Sequence, residues 1–135
     1  MGYFILKNNS LENKSNSIVL RQIFDEIKEK GKLLGVLLVY RNGELIFQNI
    51  GDNFDSIKFA SMCASVLEGA AELGLTIDNR KINKIIAELE EKTIIIVECD
   101  IKSFFILILN KESRVDLILD QLSEYIQSIS GIYEI

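Results

Sequence analysis

The sequence predicts an α/β protein of the α+β type, a mostly antiparallel sheet with helices on both faces. Three observations carry that expectation. Two apolar runs, Leu33 to Tyr40 and Leu45 to Ile50, flank Asn42-Gly43, the strongest short hairpin signal. A long helical stretch, about Ser56 to Leu73, follows. A meander of strand-like runs comes next, and two of them are apolar on both sides and need cover on two faces.

The elements follow in order. Tyr3 to Leu6 is a short apolar stretch, and Asn8 to Asn16 is polar and reads as a linker or loop, so residues 1–16 are expected to form a flexible or strand-like extension ahead of one domain, 17–135. From Ser17, read as an N-cap, Leu20, Ile23, Phe24 and Ile27 fall on one helical stripe that Gly31 ends in a left-handed conformation. The hairpin comes next, with Asn42 and Gly43 both expected at positive φ in a type I′ turn. Gly51 to Asp55 breaks the second strand, and Asp55 caps the long helix. Lys81 to Glu90 alternates as a half-buried strand, while Thr93 to Cys99 and Ser103 to Leu109 are β-branched and aromatic. The last helix is expected from Ser113, with Asp116 in the capping-box position and Val115, Ile118, Leu119, Leu122, Ile126 and Ile129 as its stripe. The element order is α-β-β-α-β-β-β-α.

Composition narrows the function. At 135 residues, 48% of them hydrophobic, the chain fits one domain with an ample core. A net charge of −5 offers no surface for releasing counterions from phosphate backbones, so nucleic acid is not an expected partner. The absence of His removes the commonest general base and metal ligand. Cys63 and Cys99 form neither a redox pair nor a metal half-site and read as buried thiols of a reducing compartment. No apolar run approaches the ~18 residues that span a bilayer, and the start resembles no signal peptide, so membrane insertion is not expected and a cytoplasmic location is.

Chemical motifs are weak. Gly69 to Thr76 has the glycine spacing of a phosphate loop, but Leu75 stands where the lysine belongs and the stretch closes a helix. Asp52, Asn53 and Asp55 lack the spacing of a calcium loop, and Asp55 is better used as a cap. Glu88, Glu90, Glu91, Glu98 and Asp100 read as solvated carboxylates beside strands. No catalytic residue, cofactor or metal is expected, and the chain does not read as an enzyme.

The long helix is more informative. At 100° per residue its apolar and small positions cover about 220°, where a surface helix needs only about 100°. Met62, Leu73, Val66 and Phe59 form a bulky flank, expected to pack on the sheet. Ala60, Cys63, Ala64 and Ala71, with Leu67 among them, form a small-residue seam expected to meet a second helix in a dimer. In the strand that follows, Ile85-Ile86-Ala87 carries none of the charges, Pro or bulge that guard an edge. Ile82, Lys84, Ile85, Ile86, Ala87 and Glu88 are therefore expected to pair with the same strand of another copy, a two-fold axis at Ile86 setting Lys84 opposite Glu88.

Four segments together resemble the roadblock/LC7 family: Gly35 to Ile46, Gly51 to Asp55, the small-residue helix Ala60 to Gly74, and Thr93 to Lys111 leading into the last helix. The resemblance spans about 17–129 and rests on the order and spacing of diffuse motifs. It implies a five-stranded antiparallel sheet with one helix on one face and two on the other. It also implies homodimers, or heterodimers with a related roadblock protein, and a non-enzymatic scaffold that binds and regulates small Ras-like GTPases or docks to larger assemblies. Lys58, Ser61, Ser65, Glu68, Gly69 and Glu72, on the polar arc of the long helix, are the expected platform for such a GTPase. The alternatives are a small-ligand sensor of PAS, GAF or profilin-like type and a purely architectural subunit.

Overall fold

The computed structural model describes residues 10–51 and 53–133. Helix α1 spans Ser10–Gly31, strands β1 and β2 span Gly35–Tyr40 and Leu45–Asn49, and helix α2 spans Ser56–Leu75. Strands β3 (Lys84–Glu88), β4 (Thr93–Glu98) and β5 (Ser103–Leu109) follow, then helices α3 (Asp116–Leu119) and α4 (Leu122–Tyr133). The sheet is five-stranded and antiparallel at every pairing, in the order β2-β1-β5-β4-β3.

Burial follows from that order. β5 lies at the centre with all its residues buried, which is why Ser103 to Leu109 is apolar on both faces. On one face Leu20, Phe24 and Ile27 of α1 join Ile118 of α3 and Tyr125 and Ile129 of α4 over Val36, Leu38, Ile95, Phe105 and Leu107. Phe24 meets Phe47 edge-on, with ring centroids 4.8 Å apart. On the other face, among the described residues, α2 covers Leu37, Val39, Ile96, Phe104, Ile106 and Ile108. One helix lies on one side and the remaining helices on the other, as the sequence and its resemblance led us to expect.

Several local expectations are corrected. Helix α1 begins at Ser10, so over residues 10–16 the polar segment is helical and is not a loop. Tyr3 to Leu6 lies outside the described residues. The left-handed residue after α1 is Lys32, at φ 50°, and not Gly31; the Leu33 amide then donates to the Lys28 carbonyl at 2.9 Å, closing the helix in a Schellman-type turn. The hairpin forms, but its turn is not type I′. Gly43 takes φ 99° while Asn42 stays at negative φ, because the connection runs four residues, 41–44, and the Gly43 amide closes a turn onto the Tyr40 carbonyl at 2.8 Å.

The final helix is broken. Ser113 caps nothing; its hydroxyl donates to the Lys32 carbonyl at 2.8 Å and accepts from the Asn110 amide at 3.0 Å. It thus ties the end of β5 to the end of α1, and Asp116 pairs with Arg114 at 3.2 Å in place of a capping box.

Candidate interaction surface

The two edges of the sheet are finished differently. β2, at one edge, has a register shift opposite Leu38/Val39, and its last residue Asn49 is engaged by Asp25 and Lys28 of α1. The other edge is β3. Its register with β4 runs without a break from Lys84↔Val97 to Glu88↔Thr93. Along it Lys84, Ile86, Ala87 and Glu88 are exposed, Ile82 and Ile85 are half-buried, and Ile86 keeps 54% of its surface in solvent. The strand therefore presents an unbroken, apolar-centred backbone to whatever lies beside it.

Helix α2 is positioned by contacts at its N-terminal end. Asp55 caps it, accepting from the Lys58 amide at 3.1 Å, and the Ser56 hydroxyl donates to the Gln48 side chain of β2. Gly43 at the hairpin tip lies against Ser61, where an added Cβ would come within 3.2 Å of the Ser61 Cα.

The two flanks of α2 are used in the reverse of the expected sense. Ala60, Cys63, Ala64 and Leu67 are buried under the chain's own sheet, and Ala71 is half-buried. This small-residue seam therefore faces inward and is not the surface that meets another helix. The physical reason is clearance: Leu37 and Val39 of β1 and the Ile and Phe side chains of β4 and β5 already fill the layer, so small residues let the helix settle on them. The bulky flank is left outside instead. Met62, Val66 and Leu73 are 59%, 52% and 62% exposed. Phe59, half-buried and edge-on to Phe54 at 4.9 Å, joins this flank to the core cluster that also holds Ile85 of β3 and Ile94 of β4. Met62, Val66 and Leu73 are surface residues that sequence reasoning missed. The signal was their size, which was assigned to the wrong side.

The platform residues Lys58, Ser61, Ser65, Glu68, Gly69 and Glu72 are all exposed, on an arc beside the apolar flank. Among the described residues, no group of three or more metal-ligating side chains is found. A surface groove is lined by Asp25, Lys28, Glu29, Lys32, Leu33 and Asn49, a mostly charged set unlike the apolar cleft of a small-molecule site. Burial pushes the Cys63 thiol up to about 11, which leaves it protonated and unreactive near neutral pH. No helix among the described residues is long and apolar enough to cross a membrane.

No protein-family model matches the sequence, and no curated protein matches it. Solved structures do match. MglB from Myxococcus xanthus superposes with a TM-score of 0.77 at 17% identity over 86% of this chain and 95% of that one. The gliding protein MglB of Thermus thermophilus gives 0.79 at 10% identity over 98% of each chain. A roadblock/LC7 domain from Streptomyces avermitilis gives 0.74 at 9% identity over 82% of this chain and 93% of that one. The chain has the roadblock/LC7 fold. Within this fold β3 is an outer strand, and among the described residues α2 is the helix on the face opposite α1, α3 and α4.

Proposed function

We propose that this roadblock-fold chain is a non-enzymatic, cytoplasmic scaffold that dimerises through β3 and the outer flank of α2 and regulates a small Ras-like GTPase. The carrying observations are two: the β3 edge, unguarded and centred on exposed Ile86, and the exposed apolar flank Met62, Val66 and Leu73 of α2. An open strand edge gains main-chain hydrogen bonds by pairing, and an exposed apolar stripe gains about 1 kcal/mol for each half side chain it buries. One second copy satisfies both demands at once. The likeness to MglB structures, one of them in a tetrameric arrangement, supports self-association.

The GTPase reading rests on the roadblock resemblance together with the polar arc of α2. If the apolar flanks of two α2 helices face each other, Lys58, Ser61, Ser65, Glu68, Gly69 and Glu72 of both copies lie on one outer platform. Such a platform regulates by holding the switch segments of a GTPase in one state, with no catalytic group of its own. The test is nucleotide turnover of Ras-like GTPases from the same cell, with and without this protein. A change abolished by charge reversal of Lys58, Glu68 and Glu72 supports the proposal, and unchanged turnover with no complex on gel filtration removes the GTPase part of it.

A further inference from the structure

We infer that β3 selects a second copy of this same chain over other roadblock-type partners, by a charge register in which Lys84 of each copy pairs with Glu88 of the other. The inference rests on the β3 pairing proposed above and names the partner that the pairing accepts.

Lys84, Ile86 and Glu88 alternate along β3 and share the sheet face covered by α1 and α4, since Ile86 is in register with Ile95 and Leu107 on that side. Lys84 and Glu88 are both exposed, and neither has an ion-pair partner among the described residues. Their charges are free to be read by whatever strand lies alongside.

Few registers are open to two antiparallel copies. An odd offset would put the α2 helices of the two copies on opposite sides of the joined sheet and leave both apolar flanks in water. Among even offsets, centring on Ile85 sets Lys84 against Ile86, and centring on Ala87 sets Glu88 against Ile86. Only the register centred on Ile86 sets Lys84 against Glu88, twice by symmetry, about an Ile86–Ile86 contact. An exposed ion pair adds little affinity. Its effect is on choice: a partner with like charges at these places meets repulsion at both ends of the strand.

The test is charge complementation, with self-association measured by sedimentation equilibrium at low ionic strength. Lys84→Glu and Glu88→Lys each turn two attractive pairs into two repulsive ones, and each variant alone is expected to dimerise on the order of tenfold more weakly. Mixing the two variants restores attraction at both pairs, so a heterodimer forms with near wild-type affinity. The double variant, carrying both changes, dimerises with itself again. Loss in both single variants followed by rescue in the mixture and in the double variant supports the register. A dimeric wild type whose single variants pair as well as it does, or whose mixture shows no preference for the heterodimer, overturns the register and leaves the dimer standing. A monomeric wild type at micromolar concentration overturns the dimer itself.

Discussion

The Arg80 amide donates to the Gly74 carbonyl at 2.9 Å, and a Cβ added at Gly74 would collide with the Arg80 carbonyl oxygen. This contact turns the chain from the end of α2 back toward β3, with Asp78 and Asn79 at φ 56° and 55° in between. It sets the spacing between the two elements of the candidate interface. Gly74→Ala is therefore expected to cost about 1–3 kcal/mol. Urea unfolding of the variant measures the loss, and an unchanged midpoint would show that the turn has slack.

The inward orientation of the small-residue seam makes a prediction that separates folding from association. Ala64, 8% exposed, lies against the sheet, so Ala64→Leu overfills that layer and destabilises the chain by about 1–3 kcal/mol. Val66→Asp, on the outer flank, weakens self-association instead. Because dimerisation itself adds apparent stability, both are to be compared by denaturant unfolding below the dissociation constant. There Ala64→Leu retains its defect and Val66→Asp matches the wild type.

Much of this was legible in the residues. Asn42-Gly43 announced the hairpin because the connection needs a residue at positive φ, although only Gly43 takes it. Asp55 announced the start of α2 because a carboxylate there accepts a free helix amide. The β3 edge was legible because Ile85-Ile86-Ala87 lacks every usual guard. The two sides of α2 were not, since hydropathy marks a residue as apolar without saying how much room the opposing layer leaves. Nor was the break before α4, where Ser113 looked like a cap but serves Lys32 and Asn110, contacts set by tertiary packing.

Burial of Cys63 carries a pH dependence. Its thiol is raised from the ordinary 9.0 to about 11 in the folded chain, so between those values the unfolded chain loses a proton that the folded chain keeps. Stability is then lost as pH rises through that window, and is unaffected below it. Cys63→Ser would remove this part of the alkaline loss, as read from thermal unfolding between pH 8 and 11. Tyr125, raised to about 12 mainly by burial, adds a further loss beginning near the ordinary tyrosine value of 10.0.

Sedimentation velocity of the wild-type chain and of Ile86→Arg, both at micromolar concentration, tests the β3 pairing most directly. Ile86 is 54% exposed at the centre of an open edge, so arginine there leaves the fold intact and places two like charges at the proposed axis. The expected result is a wild type with the mass of two chains and a folded variant with the mass of one. A wild type that sediments as one chain, or a variant that still sediments as two, would contradict it.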